Sequence, residues 1–489
     1  MTGADDYEKM IEEWRSEYIA DRTSKKGWQI LEKLVAIQKE MNQNVETTGE
    51  VENIDDFSTS KLVKLIIGDI STKDLLVDHQ ITLLEFIPSA HPNILRHVVR
   101  TIREKERSIP YLTSTAIAVG IAFARRVSDS EAGEEIGRLL AYLVIHPMIC
   151  DELKSQLSSA NGRDGSVIRS RIYAIAAERA RLTSDSSCIY WLYEEILKVV
   201  LDKKDLLAQL DALDIFVDVA LSDKENAEAI FKLGIVQKIY ELMEWSKESP
   251  DGGEMYLYGT RFLCYMARSY PEVINAYPDF VSRIMLEIRM FDQLSVVGRL
   301  GAFDHFASMC FSVEAKQILV DMFKESDDLK NTLEAAGAAC AMGTTEMKCR
   351  TLQAVTLLFQ NSTDTLATSW YEHLGGKAMT HVAIGLIKKP FPELKNCVYD
   401  FWQQLLDYPS IVHNFVTFPG FVEWALDEKA EDVPEYETRK RKTILSIITM
   451  SEDSNYAEII RADSDLITRL LNYLRPAAAP APRVEEMAL

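Results

Sequence analysis

From Leu394 onward the large apolar residues fall at Leu394, Cys397, Val398, Phe401, Trp402, Leu405 and Leu406. With 3.6 residues per turn those offsets return to one face, so the pattern predicts an amphipathic α-helix. Pro390 and Pro392 precede it, at a place where proline can open a helix but not continue one. A second short helix is predicted over 410–418, carrying Ile411, Val412 and Phe415. Pro419-Gly420 then breaks the chain, and Phe421, Val422, Trp424, Ala425 and Leu426 begin a third. None of the three can bury its apolar side alone, so each needs neighbours.

The same unit recurs. A short apolar helix entered through a break appears at Gly234-Ile235-Val236, Asp279-Phe280-Val281, Gly420-Phe421-Val422 and Asp465-Leu466-Ile467. Looser versions lie near Met322 and at Gly375, and weaker candidates at Ile149-Cys150 and Cys188-Ile189. The period is about 45 residues with two or three helices per unit, the armadillo/HEAT signature. Each unit ends in a longer helix, expected over 254–267, 296–310, 346–359, 393–406 and 439–450. In armadillo-type stacking that third helix lines the concave side, and such a groove most often binds protein. Sustained period-two alternation is absent, and the one Asn-Gly, Asn161-Gly162, falls in a polar loop. The fold expected is all-α, a right-handed α-solenoid of armadillo/HEAT-like repeats over 60–474. Residues 1–59 are expected to form two helices (5–20 and 26–41) and an acidic linker from Asn42 to Thr59. The Pro- and Ala-rich tail, 475–489, has no apolar stripe and is expected to be disordered.

At 489 residues the chain is too long for one compact core, which agrees with an extended stack. The net charge of −21 opposes a phosphate backbone over most of the surface, so nucleic acid is not an expected partner. An acidic surface also aids solubility, and it suits a basic protein partner. No apolar window approaches the roughly 18–20 residues of a membrane span, and none is expected to meet a membrane. The acidic start, MTGADDYEKM, has no apolar core of a secretory signal. The seven cysteines lack any Cys-x-x-Cys spacing and sit mainly on apolar stripes, as buried reduced thiols in the cytoplasm, and secondarily the nucleus, would.

No arrangement of residues points to catalysis. G-x-S-x-G, H-E-x-x-H, the phosphate-loop pattern and the dinucleotide fingerprint are all missing. Gly375-Gly376-Lys377 reads as a helix break. The eight histidines form no i, i+4 pair, and His91/His97 and His373/His381 lack companions at metal-ligand spacing, so no metal or cofactor is expected. The run Arg439-Lys440-Arg441-Lys442 could address a nuclear carrier. It follows an acidic loop and enters an apolar helix, where local charge balance is the simpler reading. Phe401, Trp402 and Trp424 read as core.

Lys389-Pro390-Phe391-Pro392-Glu393-Leu394, Pro419-Gly420-Phe421-Val422-Glu423 and Tyr277-Pro278-x-Phe280-Val281 resemble phrases of the family of non-ATPase regulatory subunit five of the 26S proteasome. Val313-Glu314-Ala315-Lys316-Gln317-Ile318-Leu319 and Met347-Lys348-Cys349-Arg350 do so too, and the resemblance covers about 166–473. It implies a non-catalytic assembly chaperone for the base of the regulatory particle, monomeric on its own. Its concave face would hold the C-terminal domain of a proteasomal AAA ATPase subunit within base assembly intermediates, delaying docking of the ATPase ring on the core particle. The residues then expected at the contact are Tyr256, His305, Arg350, Gln353, Asn396, Tyr399 and Gln403, off the apolar stripes of the third helices. Two other readings compete. A nuclear-import or scaffold adaptor of armadillo type would show a regular Trp/Asn ladder, which the third helices lack. A helical enzyme would need a site without a known motif.

Overall fold

The computed structural model describes residues 4–48, 56–69, 84, 87, 88, 90, 92–105, 114–160, 162–247, 252–431 and 433–475. Every regular element among them is helical. The chain divides into two units, Met1–Leu242 and Met243–Leu489.

The first unit contains α1 (Ala4–Ala20), α2 (Ser24–Thr48), α3 (Asp56–Asp69), α4 (Pro92–Lys105), α5 (Ser114–Ala124) and α6 (Gly133–Leu143). It continues with α7 (Pro147–Ser159), α8 (Gly162–Leu182), α9 (Tyr190–Leu201), α10 (Leu206–Ser222) and α11 (Lys224–Lys232), and α12 (Ile235–Lys247) runs across the division. One row is built by α1 on α3, α3 on α4, α4 on α6, α6 on α8 and α8 on α10, while α5 packs on α7 in another. From α4 onward, row neighbours are alternate helices, so this unit repeats as helix pairs.

The second unit repeats as triplets. Its helices are α13 (Gly253–Ser269), α14 (Glu272–Ala276), α15 (Pro278–Arg289), α16 (Val296–Met309), α17 (Val313–Met322), α18 (Asp328–Ala339), α19 (Thr345–Leu358) and α20 (Asp364–His373). Then come α21 (Lys377–Ile387), α22 (Pro392–Leu405), α23 (Pro409–Val416), α24 (Pro419–Leu426), α25 (Pro434–Glu452), α26 (Ala457–Ile460) and α27 (Ser464–Leu474). Here α13 packs on α16, α16 on α19, α19 on α22 and α22 on α25, each three helices on. A second row joins α15 to α18, α21 to α24 and α24 to α27; a third joins α14 to α17, α20 to α23 and α23 to α26. The fold is therefore an α-solenoid of armadillo/HEAT-like repeats, as the 45-residue period predicts.

Local chemistry sets the breaks. Ser295, Ser312, Thr344 and Thr363 each accept, through the side chain, a backbone N–H of the first turn they precede. Pro278, Pro392, Pro409, Pro419 and Pro434 stand at the first helical position, where the missing N–H costs nothing. Gly375 and Gly376, at φ +114° and +54°, turn the chain between α20 and α21 through backbone that side-chain-bearing residues rarely adopt. The triplet is thus a helix break, as read. Two expectations near the start need correction. Helix α2 continues to Thr48, so 42–48 are not linker, and α3 already begins at Asp56. Polar residues tolerate helix well enough when a preceding apolar face anchors it. The rest of that stretch, 49–55, and the tail 476–489 lie outside the described residues.

The core is aromatic in the last triplets. Trp402 and Trp424 stand 4.6 Å apart, Phe415 stacks on Phe421 at 4.7 Å, and Phe401 is wholly buried. Of the seven cysteines, all but Cys188 are buried.

Polar groups tie one repeat to the next. The wholly buried Lys316 donates to the carbonyls of Phe311, Gln360 and Asn361, at 3.2, 2.7 and 3.1 Å. Burial pushes its pKa down to about 8, so at neutral pH it still carries a proton for each acceptor. In the first unit the buried Asn226 amide donates to the carbonyls of Ala180 and Thr183, and its oxygen accepts from Ser186. The basic run of α25 behaves likewise. Lys440 is buried, donates to the Asp427 carbonyl and lies over the Tyr473 ring at 4.5 Å. Arg439 reaches Asn396 and Asp400, Arg441 reaches Glu437 and the Leu474 carbonyl, and Lys442 is exposed. Local balance accounts for Arg441 with Glu437 and for Lys440 with the Asp427 carbonyl, whereas Arg439 ties α25 to α22.

Replacing Lys316 by Met leaves three partly buried carbonyls without this donor. Urea unfolding followed by circular dichroism should show a loss of about 3 kcal/mol. Lys442→Met, on the surface, should stay within about 0.5 kcal/mol of the wild type.

Candidate partner-binding face

The row α13, α16, α19, α22 and α25 carries the candidate residues. A helix in the middle of a row is covered on both flanks as well as beneath, so little of it remains at the surface. Arg350 and Gln353 do remain, exposed on α19. Asn396 and Gln403 are partly exposed on α22, and the Asn396 side-chain oxygen accepts from Arg439 at 2.7 Å. Tyr256 is partly exposed on α13; its hydroxyl donates to Glu287 at 3.2 Å, and burial pushes its pKa up.

Tyr399 and His305 do not lie on the surface. Tyr399 is 2% exposed. It stands clear of the stripe on its own helix, but α25 packs over that flank. Its ring stacks on Tyr436 at 6.3 Å, and its hydroxyl donates at 3.0 Å to Glu431, which also accepts from Lys395. A single-helix pattern cannot register the second neighbour. His305 is 7% exposed, and burial, with Arg261 beside it, pushes its pKa down to about 4. It is a neutral ring at neutral pH.

The structure gathers three of the seven residues around one groove. Tyr256 and His305 line a cavity of about 320 Å³ between α13 and α16, together with Glu254, Glu287 and Leu257. His305 and Arg350 line an adjoining one of about 300 Å³ with Tyr258, Arg261, Tyr265 and Asp304. Gln353, Asn396 and Gln403 line neither cavity. Four of these residues escaped the sequence reading: Tyr258, Arg261, Tyr265 and Asp304. The spacing of Tyr258, Arg261 and Tyr265 was a usable signal, because offsets of three and seven share a helix face. The Arg261 guanidinium stands 6.0 Å from the Tyr258 ring and 5.5 Å from that of Tyr265. Asp304 has its pKa raised by burial, with Arg350 pulling the other way. At Gly301 a side chain would meet His305 and Leu257 at 3.4 Å, so the missing one leaves both as floor. The groove can receive side chains and offer guanidinium and carboxylate groups; among the described residues no cluster of three or more His, Cys, Asp or Glu is placed to hold a metal ion.

Comparison with known proteins decides the family. The model of the family described as "Proteasome non-ATPase 26S subunit" matches residues 11–486. The chain belongs to that family. It is 24% identical over 319 residues to the 26S proteasome non-ATPase regulatory subunit 5 of Mus musculus, covering 63% of this chain and 59% of the relative. The Homo sapiens protein of that name is 23% identical over 319 residues with the same coverage, 63% and 59%. The Drosophila melanogaster one is 20% identical over 363 residues, covering 72% of this chain and 66% of the relative. The chain thus spans 59% of the length of the mammalian relatives it matches. Among solved structures, an engineered protein aligns with 87% of this chain and 100% of its own at 16% identity and a TM-score of 0.42. A designed armadillo repeat protein in complex with peptide (KR)4 aligns with 57% and 98% at 11% identity and a TM-score of 0.32. The family resemblance carried by the Pro390, Pro419 and Pro278 phrases is borne out, and Pro278, Pro392 and Pro419 within those phrases open helices of the second unit.

His305 gives this site a pH signature. An unfolded histidine binds its proton near pH 6.5 and the folded one only near pH 4, so the unfolded chain holds more protons in between and stability falls as pH drops through that window. From pH 7 to pH 5 the wild type should lose about 2 kcal/mol more than His305→Gln, measured as the difference in urea unfolding at the two pH values.

Proposed function

We propose that this chain is a non-catalytic assembly factor of the proteasome regulatory particle. In this reading the exposed line of the α13, α16, α19, α22 and α25 row holds the C-terminal domain of one ATPase subunit in base intermediates. That delays docking of the ATPase ring on the core particle, in the cytoplasm and secondarily the nucleus. The observation that carries the reading is the coincidence of two facts. The chain belongs to a family of non-ATPase proteasome subunits, and its second unit repeats a helix row whose surface holds arginine, tyrosine and amide side chains suited to protein contact. Membership supports a proteasomal role, and the row supplies a surface on which a releasable partner can sit without any cofactor.

Capture of purified ATPase C-terminal domains by the tagged chain tests it. Arg350→Glu combined with Gln353→Glu should lower capture about tenfold and leave stability within about 0.5 kcal/mol. Tyr399→Phe should do the reverse: it leaves the buried Glu431 short of a donor, costing about 2 kcal/mol, while capture by the folded chain is unchanged. Native gels should place the chain with base intermediates and not with finished particles. Equal capture by the Arg350/Gln353 variant and the wild type, or the chain's presence in finished particles, would overturn the reading.

A further inference from the structure

The two cavities on α13, α16 and α19 are continuous in their lining: both include Leu257, Val297 and His305. The shared middle is apolar and uncharged. Val297 is 64% exposed there, so an apolar side chain lies open to an incoming group at the middle of the groove. The ends differ in sign. At one, Glu254 is exposed and Glu287 is partly so, while the nearby Arg283 is engaged by Glu244. At the other, the lining holds the guanidinium groups of Arg261 and Arg350 and the carboxylate of Asp304, on which Arg350 acts. In that lining guanidinium groups outnumber carboxylates two to one, on a chain whose net charge is −21. Arg261 is also held between two tyrosine rings, which reduces the side-chain freedom an incoming group would have to remove. Glu254 and Arg261 are seven residues apart on α13, about 10 Å at 1.5 Å per residue.

We propose that this groove is a two-ended socket for one segment of a protein partner. The segment places a large apolar side chain over Leu257 and Val297, a carboxylate against Arg261 and Arg350, and a basic group against Glu254 and Glu287. Charge complementarity at both ends selects this occupant over a uniformly basic or uniformly acidic peptide, each of which would meet like charge at one end. The socket rests on the proposed function only for the identity of the partner, taken as an ATPase subunit.

The test installs the photo-cross-linker benzoylphenylalanine at Val297 of the full chain, in extract where base intermediates form, and sequences the peptide it captures. A segment with an acidic residue on one side of the cross-linked position and a basic one on the other, each within about four residues, supports the socket. Arg261→Glu with Arg350→Glu should lower the yield about tenfold, and reversing the partner's acidic residue to Lys should restore it. A captured segment without that pair overturns the socket. So does an unchanged yield in the double variant, or cross-linking from Gln353 and none from Val297. A bipolar segment from a protein other than an ATPase subunit keeps the socket and overturns the proposed function; a segment of the ATPase subunit lacking the pair does the opposite.

Discussion

A short amphipathic helix in water is marginal, and a triplet of them is little better unless the next triplet covers what it leaves bare. Every stabilising feature of this chain follows from that shared burial. Apolar faces are completed both inside a repeat, where Phe415 of α23 meets Phe421 of α24, and across the joint to the long helix before it, where Trp402 of α22 meets Trp424 of α24. The cost is that helix ends become buried with their carbonyls unpaired. Lys316, Asn226 and Lys440 answer it from neighbouring helices, often one repeat away: Lys316 and Gln360 are 44 residues apart, and Asn226 and Ala180 are 46. The spacing of the Lys316 and Asn226 ties matches that of the apolar pattern, because one joint contains both.

That coincidence explains what could be read from the chain and what could not. The period, the all-helical character and the breaks at Pro419-Gly420 and Gly375-Gly376 are local matters of periodicity and backbone preference, and the structure bears them out. So is the core placement of Phe401, Trp402 and Trp424, at 0, 0 and 3% exposure. The errors arise where a second neighbour decides. Tyr399 and His305 sit off their own helices' stripes and are buried by an adjacent repeat. The basic run at Arg439 shows the same blindness in another form, since a run of charge gives no hint that its second member will sit over the rings of Trp424 and Tyr473.

The change from helix pairs in the first unit to triplets in the second is the other thing a single period conceals. A repeat of about 40–47 residues accommodates two longer helices or one short and two longer ones. The first unit uses the 21-residue α8 and the 17-residue α10, whereas the second inserts helices as short as the five-residue α14 and the four-residue α26. The weak candidates at Ile149-Cys150 and Cys188-Ile189 match the strong ones only loosely for this reason. They open no third helix; they lie in or beside the second member of a pair, in α7 and just before α9.

Burial of the row also shapes what its surface can do. With both flanks of each third helix covered, the exposed line of any one helix is narrow, so a broader contact surface must draw on several helices. The groove meets this condition: Leu257 and Arg261 come from α13, Gly301 and Asp304 from α16, and Arg350 from α19. Its geometry therefore depends on the joints. Burial first, and the charge of Arg261 second, hold the His305 pKa down, and both last only while the repeats remain closed. The same packing that hides candidate residues from a reading of single helices is what lets three successive repeats present one continuous surface.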